Sequence, residues 1–180
     1  MNPSSELRPV ITTEQVQKRV AEMARQISDD YRGQTILVIG ILENSFVFMA
    51  DLVRNLEVPV VCRFIKPKYT PQPGALGDMT EIFFNEHPDI NGQHVLLVEG
   101  LVHSGITTEF LGNNMSARGA ASVKVATLLD RQSARRVALQ PDYFGFLVDD
   151  TFLVGYGLGA AGQTERNLPY LAVSRALPVT

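Results

Sequence analysis

The apolar residues of this 180-residue chain change their spacing several times, and each change marks an element. Val16, Val20, Met23, Ala24 and Ile27 recur at helical spacing, which puts them on one face of an α-helix. Thr12 or Thr13 precedes that run as an N-cap, with Glu14 and Gln15 in the first turn, and the helix is expected to end near Asp30. Thr35 to Gly40 is a β-branched apolar run of the kind found in buried parallel strands. Phe46 to Leu56 predicts a second helix and Val58 to Ile65 a second strand. Residues 66–80 read as a long loop, because Pro67, Pro71, Pro73, Gly74 and Gly77 interrupt any regular element. A lid, a binding loop and a plain connection all fit that length. Val95 to Val98 is a third strand, Thr107 to Ala117 a helix ended by Gly119, and Val123 to Leu129 a fourth strand. Asp142 to Val154 supplies further strand. Strands alternating with helices predict an α/β fold, a parallel twisted sheet with helices on both faces. Ligands of such sheets sit beyond the carboxyl ends of the strands, so the turns after Ile39, Val98 and Leu129 are where chemistry is expected.

Composition narrows the partners. With 45% hydrophobic and 19% charged residues the chain can bury a core, and it is read as a single domain over residues 1–180. The net charge of −3 and the absence of a long charge run argue against a nucleic-acid partner, and there is no spare length for a helix-turn-helix module. The one cysteine, Cys62, excludes an internal disulfide and a cysteine-based zinc site. Its place in the run Val58 to Cys62 predicts a small buried hydrophobe rather than a nucleophile. Met1 to Pro9 has no basic segment followed by an apolar stretch, and no run is long enough to span a bilayer. A soluble, cytoplasmic chain with no membrane partner is the expectation.

The most informative stretch runs from Val95 to Thr108. Four apolar residues lead into the small-residue turn Ser104-Gly105, which opens a helix. Hydroxyls and backbone N–H groups at a helix N-terminus suit an anion such as a phosphate monoester, although many such turns are simply well-capped helices.

This stretch resembles the phosphate loop of the phosphoribosyltransferases: a strand ending in two acidic residues, two apolar residues, Asp, Ser or Thr, Gly and, two later, Thr. The likeness to the hypoxanthine-guanine branch extends over nearly the whole chain. Ile39 to Phe46 with Asp51-Leu52-Val53 is similar to that family's first strand, pyrophosphate loop and helix, and Val123 to Leu129 to its purine-side strand. Asp142 to Phe146, Phe152 to Leu158 and Arg166 to Tyr170 match its C-terminal half in order. The resemblance implies the type I phosphoribosyltransferase fold, with a small hood formed by the terminal segments.

It also implies roles. Ser104, Gly105, Ile106, Thr107 and Thr108 would hold the 5′-phosphate of a nucleotide or of phosphoribosyl pyrophosphate. Glu99 would serve the ribose hydroxyls, while Gly100 stands where a second carboxylate is expected. His103 takes the place of the Asp that handles the proton at purine N7, as a candidate base. Arg131 stands for a Lys that donates to the purine 6-oxo group, with Phe152 stacking on the base and Leu153 following it with its backbone. On the pyrophosphate side Glu43 and Asn44 replace Lys and Gly, with Asn44 expected in a backbone conformation that favours glycine, and Arg166 is retained. The family uses Mg²⁺, but Gly159 replaces the expected Asp, and Gly159 to Gly162 is small and neutral, so no metal ligand is assigned. The lid's Ser-Tyr pair corresponds to Lys68-Tyr69, and Ala75-Leu76-Gly77 lies near the lid's glycine.

Two functional expectations follow. The fold, the phosphate loop, Glu99, Arg131, Phe152 and Arg166 fit a salvage enzyme acting on hypoxanthine or guanine and phosphoribosyl pyrophosphate. Glu43, Gly100, His103 and Gly159 together point instead to a nucleotide-binding relative with impaired catalysis, and this second expectation stands ahead. A homodimer or homotetramer is expected from the resemblance.

Overall fold

The computed structural model describes residues 7–70, 79–83, 89–159 and 164–174. In chain order the elements are β1 (Pro9–Ile11), α1 (Thr13–Asp30), β2 (Ile36–Ile41), α2 (Phe46–Asn55), β3 (Val60–Thr70), β4 (Met79–Phe83), β5 (His94–Val102), α3 (Ile106–Ala117), β6 (Ser122–Asp130), β7 (Tyr143–Leu147), β8 (Leu153–Val154) and β9 (Leu171–Val173). The main sheet has the order β4-β3-β2-β5-β6-β7; all its pairs are parallel except β3 with β4. Strands β1, β9 and β8 form a separate antiparallel sheet, which joins both terminal segments into the expected hood.

Helix α1 begins as its sequence implies. Thr12 and Gln15 cap each other: the Gln15 N–H donates to Thr12 Oγ1 at 3.3 Å and the Thr12 N–H to Gln15 Oε1 at 2.8 Å. Val16, Val20, Met23, Ala24 and Ile27 are its buried face. All six residues of β2 are buried, because helices cover both sides of the sheet. One core lies between the sheet and α1 and α2, the other between the sheet and α3. No helix among the described residues is long and apolar enough to cross a membrane.

Three expectations are corrected. The strand read as ending at Ile65 continues to Thr70, and residues 66–70 pair antiparallel with 79–83. At its described ends the loop expected over 66–80 is therefore a two-stranded ribbon, residues 66–70 against 79–83. Pro67 is tolerated there because β2 stops at Ile65's partner, leaving this part of β3 bonded on one side only. Lys68 and Tyr69 fall within β3, whereas Pro71, Pro73, Gly74 to Gly77 and Ala160 to Gly162 lie outside the described residues. Cys62 is exposed rather than buried. Among the described residues, strand β3 borders only β2 over residues 60–65, and Val61 and Phe64 are exposed with Cys62. Asn44 does not adopt a left-handed backbone: Tyr156 is the only non-glycine with positive φ among the described residues. The special feature of that loop is a cis bond between Leu42 and Glu43.

Candidate functional site

Strand order doubles back at β2 and β5, and the loops that leave the carboxyl ends of β2, β5 and β6 converge there. The turn from β5 to α3 is its floor. Gly105 caps α3 in the left-handed region, φ +80°, and a side chain there would also strike Val137 and Arg135, so glycine is required twice over. The first turn of α3 presents its amides toward this turn, as helix N-termini do. Ser104 supports it through a long 3.4 Å contact from the Ile106 N–H to Ser104 Oγ. Thr108 is buried, and its hydroxyl donates to Glu99 instead of facing the open nest, so only its backbone remains for a phosphate.

Glu99 lies behind that nest. Burial pushes its carboxyl up to about 7, against the Thr108 hydrogen bond and the Arg135 charge, which both lower it. Below pH 4.5 the group is protonated in both folded and unfolded chains and has no effect. Between 4.5 and about 7 the unfolded chain ionises while the folded one holds its proton, so stability falls as pH rises. Above that window the penalty is constant, about 3 kcal/mol. Glu99→Gln is therefore expected to raise the melting temperature at pH 8 and leave it nearly unchanged at pH 4. Melting curves at the two pH values test this, and equal shifts at both would refute it.

The turn after β6 is bolted to the nest. The Arg131 N–H donates to the Val102 carbonyl at 3.0 Å and the Arg136 N–H to the Ser104 carbonyl at 2.9 Å. Arg135 donates to Asp130, which is 1% exposed, and Gln132 Nε2 reaches the same carboxylate at 3.3 Å. The other terminal nitrogen of Arg135, Nη1, is buried without a partner and lies 3.1 Å from the position a Gly105 Cβ would take. Neither Asp130 nor Arg135 stood out in the sequence; the only signal was a pair of arginines following a buried strand.

Arg131 is 9% exposed and donates from Nη2 to the Thr151 carbonyl at 2.7 Å, which brings it near the half-buried Phe152 and Leu153 that follow Thr151 in sequence. His103 sits one residue beyond the Val102 carbonyl that Arg131 engages. Partial loss of water around its ring, then the charges of Arg131 and Arg136, hold it below the ordinary imidazole range, against the opposing Asp150. It is consequently neutral at pH 7 and able to accept a proton.

Glu43, Asn44, Gly159 and Arg166 meet on the opposite side. Arg166 Nη1 donates to Asn44 Oδ1 at 2.7 Å, and Nη2 to the Gly159 carbonyl at 2.6 Å. Glu43 is exposed and receives Lys66 Nζ at 2.7 Å, with Arg166 Nη2 at 3.8 Å; Lys66 first, then Arg166, holds its carboxyl below the usual range. Lys66 was absent from the sequence-derived set, because it seemed to open a loop. The turn Gly155-Tyr156-Gly157, all at positive φ, carries Gly159 to Arg166; the Tyr156 hydroxyl donates to Asp51.

Magnesium does not fit as a resident of these residues. No group of three His, Cys, Asp or Glu is assembled among the described residues, Gly159 offers no carboxylate, and the lone Glu99 is desolvated and engaged by Thr108.

The family model of the phosphoribosyl transferase domain matches residues 11–160. The hypoxanthine phosphoribosyltransferase of Haemophilus influenzae is 36% identical over 165 residues, 90% of this chain and 92% of that protein. The hypoxanthine-guanine phosphoribosyltransferase of Bacillus subtilis is 32% identical over 164 residues, 91% of each. The bifunctional protein TilS/HprT of Listeria innocua shares 32% identity, but this chain spans only 25% of its length. The crystal structure of a hypoxanthine-guanine phosphoribosyltransferase from Bacillus anthracis superposes with a TM-score of 0.83 at 36% identity, covering 93% of this chain and 98% of that one. A domain match running from residue 11 to residue 160, with identity sustained over nine-tenths of the length, makes this chain a member of the hypoxanthine-guanine phosphoribosyltransferase family.

Proposed function

We propose that the chain transfers a 5-phosphoribosyl group from phosphoribosyl pyrophosphate to a 6-oxopurine, hypoxanthine or guanine. The observation that carries this is the nest at Gly105, with Glu99 behind it and the Arg131–His103 turn beside it at the same end of the sheet. The relatives named for this activity favour it over the reading of lost catalysis expected from the sequence. In this reading Ser104 to Thr108 hold the 5′-phosphate and Glu99 the ribose hydroxyls. Arg131 donates to the 6-oxo group, and Phe152 packs on the base. Purine N9 forms a bond to ribose C1′, the bond from C1′ to the pyrophosphate oxygen breaks, and neutral His103 takes the proton from N7. Magnesium would come with the donor substrate, on its phosphates, and would supply charge neutralisation there.

A spectrophotometric assay with hypoxanthine and guanine tests the reading: nucleotide formation supports it, and absence of turnover in a protein that still binds guanosine monophosphate overturns it. His103→Ala is expected to lower kcat about 10²-fold or more, with little change in KM for the donor. An unchanged kcat would remove His103 from proton transfer. A second reading, nucleotide binding with impaired turnover, is favoured by the engagement of Glu43 with Lys66 and Arg166.

A further inference from the structure

Four residues that depart from the family pattern, Glu43, Asn44, Gly100 and Gly159, form one physical unit centred on Arg166. Its guanidinium donates to Asn44 Oδ1 and to the Gly157 and Gly159 carbonyls, and it lies 3.8 Å from Glu43 Oε2. Lys66 holds the other Glu43 oxygen at 2.7 Å. The backbone carbonyl of Asn44 passes 2.2 Å from the position a Cβ would take at residue 100, so the loop lies this close to β5 only because residue 100 is glycine. Glu43 thus places an exposed carboxylate between a lysine and an arginine, the two cations an external anion would otherwise meet there.

We propose that Glu43 is an internal anion that occupies the Lys66–Arg166 subsite and thereby sets the chain's selectivity among phosphate ligands. A monophosphate uses the α3 nest alone and does not meet Glu43. A ligand carrying pyrophosphate must displace that carboxylate to reach the two cations, and it meets like charge until it does. Asn44 and Gly100 hold the loop in this position, so the departures are coupled rather than four separate losses. A single Gly100→Asp change would drive a side chain into the Asn44 carbonyl. The inference rests on the transferase reading only for the identity of the ligand.

The test is calorimetry on the full chain with magnesium pyrophosphate and, separately, guanosine monophosphate, independent of turnover. Glu43→Gln is expected to bind pyrophosphate at least about tenfold more tightly, the equivalent of about 1.4 kcal/mol, with monophosphate affinity within about twofold. Glu57→Gln makes the same charge change on an exposed residue whose N–H donates to Ser28 Oγ in the last turn of α1, and it should change neither. Adding Arg166→Gln to Glu43→Gln should erase the gain. Unchanged pyrophosphate affinity in a folded Glu43→Gln variant overturns the proposal, as does an equal gain for both ligands or in Glu57→Gln. Absence of turnover together with the selective gain would sink the transferase reading and leave this one standing.

Discussion

Thr107→Glu is expected to abolish purine nucleotide binding while leaving the protein as stable as before. Thr107 is the second residue of α3, two positions after the Gly105 cap, and half-buried. An acidic side chain in the first turn of a helix is favourable by about 0.3–1 kcal/mol, so folding should not suffer. The same carboxylate enters the nest that a 5′-phosphate would fill, and like charges forced together cost on the order of several kcal/mol. At about 1.4 kcal/mol per tenfold, that is a loss of at least about 100-fold in affinity for guanosine monophosphate. Calorimetry beside a melting curve checks it. Unchanged affinity in a variant that melts normally would place the phosphate elsewhere than on this loop.

Arg135→Ala should be the most damaging single change to stability at the site, lowering the melting temperature by about 10 °C. Asp130 is 1% exposed and Arg135 12%, and truncating the arginine strands a buried carboxylate. Breaking such a pair costs about 3–5 kcal/mol, and for a chain of this size each kcal/mol moves the midpoint by about 2–4 °C. The variant also withdraws the cation packed against Gly105, so nucleotide affinity should fall with stability. Adding Asp130→Asn removes the stranded charge and should recover much of the stability without restoring affinity. A normal melt for Arg135→Ala would show that the pair contributes little to the fold. Loss of stability with full affinity would show that Arg135 supports the fold but not the nest.

These two outcomes differ in how visible their residues were. Thr107 stood in a short contiguous motif, strand then small-residue turn then helix, whose geometry is set by neighbours in sequence. Arg135 did not, because its meaning depends on Asp130 being buried and on Gly105 arriving above it from another loop. Errors had the same origin. Cys62 lies in an apolar run that looks like core, but among the described residues that part of β3 has only β2 beside it. Pro67 looks like a loop residue, and only the pairing with Ile82 shows that it lies in a strand with a free edge. Glu43 was legible as the wrong charge for a pyrophosphate loop, but not as a partner of Lys66.

By itself the sequence determined the layered α/β fold, the buried face of α1, the buried strands β2 and β5, and the turn that caps α3. Each follows from periodicity or turn chemistry within a dozen or so residues, where the physics is local. Tertiary structure alone decided which charges meet: Lys66 with Glu43 across 23 positions, and Arg166 with Asn44 across 122. It also decided that Gly100 is small because the Asn44 carbonyl passes over it. No local pattern encodes those pairings, because they are fixed by where the strand order brings separate loops to one end of the sheet.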